Sequence, residues 1–251
     1  MLETPLQSIL VTLAGPVFGS FAATLAHRIA AGGSPWSGRS RCAACGHVLG
    51  VRDLIPIASW LVLGGRCRYC RSAIGRFELA VEALALAIAI MALARFGGGQ
   101  VWLAAGLGWA LLALAAADAR AMVLPDPITL PLALAGFAAT AWLAPERLAS
   151  HALAAGGAFA LFLAIRLGYR RFRGREGLGL GDAKLMAAAG AWLGPEPLAT
   201  VVLAAALAAL AVTGLRQWRE QRIDLAAPIP FGAYLAPAIW LVWIADPGGM
   251  F

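Results

Sequence analysis

The chain has 251 residues, of which 61% are hydrophobic and only 13% charged, with a formal net charge of +7. A soluble domain carries about 25% charged residues, so with a mean hydropathy of +0.78 this composition excludes an ordinary soluble globular protein. It also removes nucleic acid as the reason for the positive charge, because basic residues in a membrane protein chiefly report orientation.

Apolar runs are expected to form eight spans, at about 7–26, 77–94, 101–117, 128–144, 149–167, 183–193, 198–215 and 229–245. No strand-period alternation competes with them, and alanine and leucine, both good helix formers, dominate. The expected fold is therefore an all-α integral membrane protein of about eight transmembrane helices. A small zinc-stapled cytoplasmic domain is expected between the first and second. The domains are read as a first helix over 1–26, the four-cysteine domain over 27–76 and a polytopic membrane domain over 77–251. The first run has no basic region before it and is longer than a signal-peptide core, so it is read as a retained anchor. Trp102, Trp142 and Trp243 near span ends suit an interfacial belt, whereas Trp109 and Trp192 lie further inside as packing residues. No internal repeat is expected.

Orientation follows from the arginines. If the spans alternate, 18 of the 20 Lys and Arg residues fall on one side, and only Arg95 and Arg147 fall opposite. The positive-inside rule makes the rich side cytoplasmic and puts both termini outside. The sixth span is short: residues 183–193 would reach only about 16 Å as a helix, against a hydrocarbon core of about 30 Å. Moving it out of the membrane would carry Arg216, Arg219 and Arg222 to the wrong side. It is therefore expected to cross, with part of the preceding Gly-Leu-Gly-Leu-Gly-Asp stretch below the membrane surface, where irregular backbone must be buried in protein or line a wet cavity.

All four cysteines lie in the first long loop, as Cys42-Ala-Ala-Cys45 and Cys67-Arg-Tyr-Cys70, separated by 21 residues. Two such knuckles can place four thiolates around a tetrahedral zinc ion. A loop of this size cannot bury much core, so a metal staple has a clear stabilising role. Disulfides are the rival reading, opposed by the reducing cytoplasm. A site with four protein ligands is closed, which makes the zinc structural. His47 is read as a spare loop histidine.

Position selects among the 13 acidic residues. Asp182 follows a glycine-rich turn (residues 177–182) at the mouth of span 6, and Asp118 ends span 3. Both fall at the cytoplasmic ends of their spans, the arrangement a carboxylate dyad needs. One acid of such a pair is held protonated and the other ionised. The structural alternatives are a helix-capping role for Asp182 and a pairing of Asp118 with Arg120 or a helix end. The glycines, Gly179 and Gly181 among them, would let the backbone bend and approach a substrate. Asp126, between two prolines before span 4, suits a turn or cap. Glu82 lies inside an apolar span and requires a function or a partner, and Glu78 is one turn before it. Lys184, the only lysine, either tunes the dyad, binds an acidic substrate group or anchors at the interface. No Ser/His/Asp arrangement, His-Glu-x-x-His sequence or nucleotide-binding glycine motif stands out.

Together these features resemble the type IV prepilin peptidases, bacterial membrane aspartic proteases of the GxGD kind. The resemblance rests on Gly19-Ser20-Phe21 with Arg28, Arg39-Ser40-Arg41, Asp53-Leu54-Ile55-Pro56 with Ser59-Trp60-Leu61, and Gly65-Arg66-Cys67. It continues through Asp118 with Leu124-Pro125-Asp126, Gly179-Leu180-Gly181-Asp182-Ala183-Lys184-Leu185 and Pro230-Phe231-Gly232. It implies cleavage of the basic leader of prepilins and pseudopilins at the cytoplasmic face of the bacterial inner membrane, with Asp118 and Asp182 catalytic. Gly179, Gly181, Lys184, Asp126 and Glu82 are expected in support. It also implies methylation of the new N-terminus with S-adenosylmethionine. The chain departs from the family pattern in its N-terminal half: Cys-Ala-Ala-Cys replaces Cys-Pro-x-Cys, Ala22-Ala23 follows Gly-Ser-Phe, and residues 77–82 only loosely follow an aromatic-Pro-x-x-Glu segment. The other readings are a protease without methyl transfer and a zinc-stapled transporter or assembly scaffold.

Overall fold

The computed structural model describes residues 5–34, 36, 38–174, 177–221 and 228–245. Arg175 and Arg222, counted above for orientation, lie outside the described residues. The chain divides into two compact units, residues 1–121 and 122–251.

In the first unit, α1 (Pro5–Ala30) packs against both α3 (Arg76–Arg95) and α4 (Gln100–Ala121). Between α1 and α3 the loop carries a one-turn 3-10 segment (Val51–Asp53) and the short helix α2 (Ala58–Val62). Two glycines set the α1–α3 distance. A Cβ on Gly19 would stand 2.6 Å from the Glu82 Cα, and one on Gly15 would stand 2.8 Å from the Ala85 carbonyl oxygen. Small residues of this kind let membrane helices approach where no hydrophobic drive exists between them. Trp109 of α4 closes the third side: its indole N–H donates to the Ala85 carbonyl at 2.9 Å and its ring stacks on Phe18 at 4.5 Å.

In the second unit, α7 (Leu180–Leu193) packs against α5 (Asp126–Leu143), α6 (Leu148–Arg173) and α9 (Gly232–Ala245), and α8 (Leu198–Glu220) against α9. Ten of the 14 residues of α7 are buried. A helix apolar all round is a core helix, and its Ala- and Gly-rich sequence explains how neighbours come so close. A Cβ on Gly190 would lie 2.5 Å from the Ala155 backbone nitrogen. Trp192 fills the notch at Gly136 and donates to the Leu132 carbonyl at 2.8 Å. At the far end of α7, the Ala191 carbonyl lies 3.0 Å from the buried His151 Nδ1 and 3.2 Å from the Thr140 hydroxyl, which donates to it.

The protein is all-helical and multi-pass. Helices stand at all eight expected positions, and among the described residues six of them are long and apolar enough to cross a membrane by themselves. The other two, α7 and α9, have 14 residues each, about 21 Å of helix. Helix α7 begins at Leu180, three residues before the apolar run, so Gly181 and Asp182 are helical, and the described residues 177–179 precede it as irregular backbone. Of the three tryptophans expected in a belt, Trp102 and Trp142 are exposed, but Trp243 is buried edge-on against Trp192 at 6.1 Å.

Candidate active site and metal centre

The four cysteine sulfurs of the first unit all lie within 4.8 Å of one another, and Cys42 Sγ and Cys70 Sγ are 3.8 Å apart. Sulfurs placed tetrahedrally at about 2.3 Å from a zinc ion stand about 3.8 Å apart, so the donor set fits a closed metal site. Disulfide sulfurs would stand about 2.05 Å apart, and all four cysteines are free. Two of the thiols depart from their ordinary value in opposite directions. Backbone N–H groups of Cys45 and Ala44 bring Cys42 down to about 6. The His47 N–H lowers Cys45 too, but burial and the neighbouring sulfurs outweigh it and push that thiol up to about 11. Holding all four sulfurs as thiolates would take a bound cation.

The two knuckles are built alike. Cys42 N–H donates to the His47 carbonyl, Gly46 N–H to Cys42 and Leu49 N–H to Ser40; twenty-five residues on, Cys67 donates to Ser72, Arg71 to Cys67 and Ile74 to Gly65. Residues 40–50, Ser-Arg-Cys-Ala-Ala-Cys-Gly-His-Val-Leu-Gly, and 65–75, Gly-Arg-Cys-Arg-Tyr-Cys-Arg-Ser-Ala-Ile-Gly, are therefore an internal repeat, contrary to expectation. The signal was present in the Arg-Cys-x-x-Cys phase and the closing glycine, but only six of eleven positions keep residue identity or aliphatic character. His47 stacks on Tyr69 with ring centroids 3.6 Å apart and stands outside the sulfur cluster. Asp53 ties the 3-10 segment to the second knuckle: its Oδ1 accepts from Arg68 Nε at 2.7 Å and its Oδ2 from Gly50 N–H at 3.1 Å. The Arg68 hydrogen bond holds its carboxyl below the usual range.

Glu82, buried within α3, has the partner that its position demands. Its Oε2 accepts from the Ile57 backbone N–H at 2.7 Å. Ile57 has φ 61° and ψ −54°, the centre of a strained, positive-φ γ-turn that a β-branched side chain rarely adopts. Sequence reasoning missed this pairing because nothing in the residue type Ile announces a backbone donor. It also missed the cluster at the start of α3: Glu78 Oε1 lies 2.5 Å from His27 Nε2, and the Arg120 guanidinium sits 4.0 Å over the Phe77 ring.

Asp118 is 5% exposed in the last turn of α4, in the first unit. Arg120 lies over Phe77 and 3.5 Å from His27 Nε2. Asp182 is 7% exposed in the first turn of α7, in the second unit. Its Oδ2 accepts from the Gly179 N–H at 3.1 Å, so the capping role and burial coexist in one carboxylate. This is half of a capping box; glycine has no side chain for the other half. The glycines serve packing rather than unusual dihedrals: Gly179 has φ −69°. A Cβ there would stand 3.0 Å from Asp182 Oδ2, and one on Gly181 2.9 Å from the Leu124 Cβ. Arg166 donates to the Leu178 carbonyl at 3.1 Å and steadies the turn. Lys184 Nζ donates to both oxygens of Asp126, at 2.7 Å each. Thus Leu124 and Asp126 both engage the N-terminal turns of α7.

Comparison with known proteins bears on this arrangement directly. The family described as "Bacterial Peptidase A24 N-terminal domain" matches residues 13–96, and the "Type IV leader peptidase family" matches residues 106–214. A prepilin leader peptidase/N-methyltransferase of Aeromonas salmonicida is 36% identical over 208 residues, 82% of this chain and 71% of that one. The chain belongs to the type IV leader peptidase family. Its relatives of the same name include one from Pseudomonas aeruginosa, 33% identical over 210 residues (81% of this chain, 71% of that one). Another, from Burkholderia pseudomallei strain 1026b, is 38% identical over 199 residues. That match takes in 79% of this chain but 64% of the relative, so the chain spans just under two thirds of the Burkholderia protein. No solved structure matches. The N-terminal family match encloses the four-cysteine centre and Glu82, while the leader-peptidase match encloses Asp118, Asp126, Asp182 and Lys184.

Proposed function

We propose that this protein removes the leader peptide of type IV prepilins and pseudopilins at the cytoplasmic face of the bacterial inner membrane, with Asp118 and Asp182 as the catalytic pair. The observation that carries the reading is the placement of two buried aspartates at helix ends of opposite polarity, inside the segment shared with the leader peptidases. The N-terminal end of α7 is electropositive and the C-terminal end of α4 electronegative. Negative charge is best placed on Asp182, which therefore takes the base's role, and Asp118 takes the acid's. Asp182 removes a proton from water as the water oxygen attacks the scissile carbonyl carbon. Asp118 hydrogen-bonds the carbonyl oxygen and stabilises the charge that develops there. The C–N bond then breaks as the leaving nitrogen takes up the proton. Gly179 fixes the Asp182 rotamer, while Leu124 and the Lys184–Asp126 pair fix the start of α7.

Residues 27–76 form the zinc-binding part, with zinc held by Cys42, Cys45, Cys67 and Cys70 as a cross-link in place of a core. Residues 77–251 hold the peptidase. Methylation of the newly exposed N-terminus is the second activity, supported by the relatives' names and the N-terminal family match; S-adenosylmethionine supplies the methyl group. The arginine bias supports an orientation with both termini periplasmic. Partners are prepilins, pseudopilins and the lipid bilayer, without nucleic acid.

The test mixes purified protein in detergent with a prepilin, with and without S-adenosylmethionine, and weighs the product's N-terminus. The expected product is shorter by the leader, and heavier by one methyl group only when the donor is present. A shortened, never methylated product selects the protease-only reading; an intact prepilin selects the scaffold.

A further inference from the structure

Residues 54–63, Leu-Ile-Pro-Ile-Ala-Ser-Trp-Leu-Val-Leu, form an uncharged run within the otherwise arginine-rich loop. Apolar runs of this length belong either to a buried core helix or to an interfacial segment. The structure excludes the first: α2 has no buried residue, and Ile55, Leu61 and Val62 are 49%, 62% and 82% exposed. An apolar surface of this kind on a cytoplasmic loop needs something to cover it.

Its depth identifies the cover. Helix α3 has 20 residues between Arg76 and Arg95, about 30 Å, which matches the hydrocarbon core. Glu82 lies six positions in from Arg76, about 9 Å along the axis. Helical side chains lean toward the N-terminus, which brings the carboxylate back to roughly 5–9 Å below the level of Arg76. The Ile57 N–H is bonded to that carboxylate at 2.7 Å, so the turn leading into α2 is held at the same depth. Interfacial helices bury their apolar faces about 5–10 Å into the headgroup–acyl boundary.

We infer that residues 54–63 form a re-entrant segment lying in the lipid interface, latched to α3 by Glu82, with Ile55, Leu61 and Val62 facing acyl chains. The exposed Arg52, Arg66 and Arg71 flank it, where they meet anionic headgroups. Trp60, whose ring packs on Gly65, sits at the level where indoles concentrate in membrane proteins. The strained turn at Ile57 follows from the same geometry, because the chain must reverse at membrane depth and its freed N–H must find an acceptor there. This places the loop on the bilayer whichever reading of the activity holds.

The experiment reconstitutes zinc-loaded protein in vesicles of phosphatidylethanolamine and phosphatidylglycerol, with one nitroxide label on Val62→Cys. Mass spectrometry checks for a single label, the zinc-bound cysteines being protected. Collision with oxygen, which concentrates in lipid, is compared with collision with a water-soluble nickel chelate. Leu84→Cys on α3 is the lipid reference and Arg39→Cys in the loop the water reference. Val62 is expected to resemble Leu84, with oxygen access exceeding nickel access. A water-like profile overturns the inference, and so does shielding from both reagents, which would mean that protein covers the segment. In the Val62→Cys background, Glu82→Gln retains an oxygen acceptor and is expected to keep the lipid profile, whereas Glu82→Ala is expected to shift it toward water. An unchanged profile in Glu82→Ala, with zinc retained, overturns the latch.

Discussion

Lys184 Nζ stands 2.7 Å from each carboxylate oxygen of Asp126, so two conspicuous charges near Asp182 are paired with each other. Asp126 opens α5 and Lys184 lies in the first turns of α7, so the ion pair joins these two helices. Residues two apart on a helix do not share a face. Lys184 therefore anchors one side of α7 while Asp182 is presented on another.

This arrangement predicts that Asp126→Asn is tolerated. Asp126 is about half exposed, so solvent screening limits the pair to roughly 0.5–1 kcal/mol. Cleavage by Asp126→Asn is expected to stay within about fivefold of the parent, that energy expressed as a rate ratio, with a small drop in melting temperature. Initial rates on a prepilin in detergent give the answer. Loss of cleavage in Asp126→Asn would move the catalytic role from Asp118 to Asp126.

The contrasting prediction concerns the proposed pair itself. Asp118→Asn and Asp182→Asn each remove a group that handles a proton in the transition state, an effect worth about 10²–10⁴-fold. Each single variant is expected to lose at least that much cleavage rate while its zinc content and helix signal stay at parent levels. Because the two act as one unit, the double variant should be little worse than either single one. Ordinary cleavage by either single variant would remove that residue from the mechanism.

The sulfur geometry predicts one zinc ion per chain by elemental analysis. Replacing Cys42 and Cys67 by serine should abolish it and leave the loop open to protease between residues 31 and 75. Peptidase and methyl-transfer rates measured on the same sample then report which activity needs the loop. Folded, protease-resistant protein without metal would contradict a structural zinc.

The sequence made the helix positions legible because lipid imposes a strong, one-dimensional constraint: every span must be apolar and long enough. The cysteine centre was legible because four thiolates at knuckle spacing have few other uses. What escaped were relationships carried by backbone or by absent atoms. Gly179 and Gly181 read as flexible, yet each is small because Asp182 and Leu124 occupy the space a Cβ would take. Glu82 was legible as a problem, but its solution is a backbone N–H at Ile57. The start of α7 was placed late because hydrophobicity was counted, whereas the helix begins where Gly179 can be capped by Asp182.

Glycine as absent volume gives a further prediction. Gly190 of α7 lies against α6 so closely that a Cβ would meet the Ala155 backbone at 2.5 Å, and backbone cannot rotate away as a side chain can. Gly190→Ala should therefore destabilise the second unit by about 1–3 kcal/mol, the usual range for overpacking. Gly156→Ala on α6, where a Cβ meets nothing within 4 Å, serves as the neutral control. Melting in detergent compares them; equal stability of the two variants would contradict the α6–α7 packing.

The Asp53–Arg68 bridge gives the pH dependence its sign. Asp53 ionises below its ordinary value because Arg68 donates to it, with Gly50 N–H as a second donor. A carboxyl lowered on folding contributes stability that is fully present above its unfolded value, about 3.9, and is lost as pH falls through the folded value. The bridge should thus act at a constant level from neutral pH down to about pH 5 and fade below about pH 4. Asp53→Asn removes it, so the variant's loop should open to protease faster than the parent's at pH 7 by a ratio that stays constant to about pH 5. Below that the thiolate sites also begin to take up protons and both loops weaken, but the ratio between variant and parent should fall toward one as the parent's own Asp53 is neutralised. A ratio that grows with acidity would assign the bridge the opposite sign and remove Arg68 as its cause.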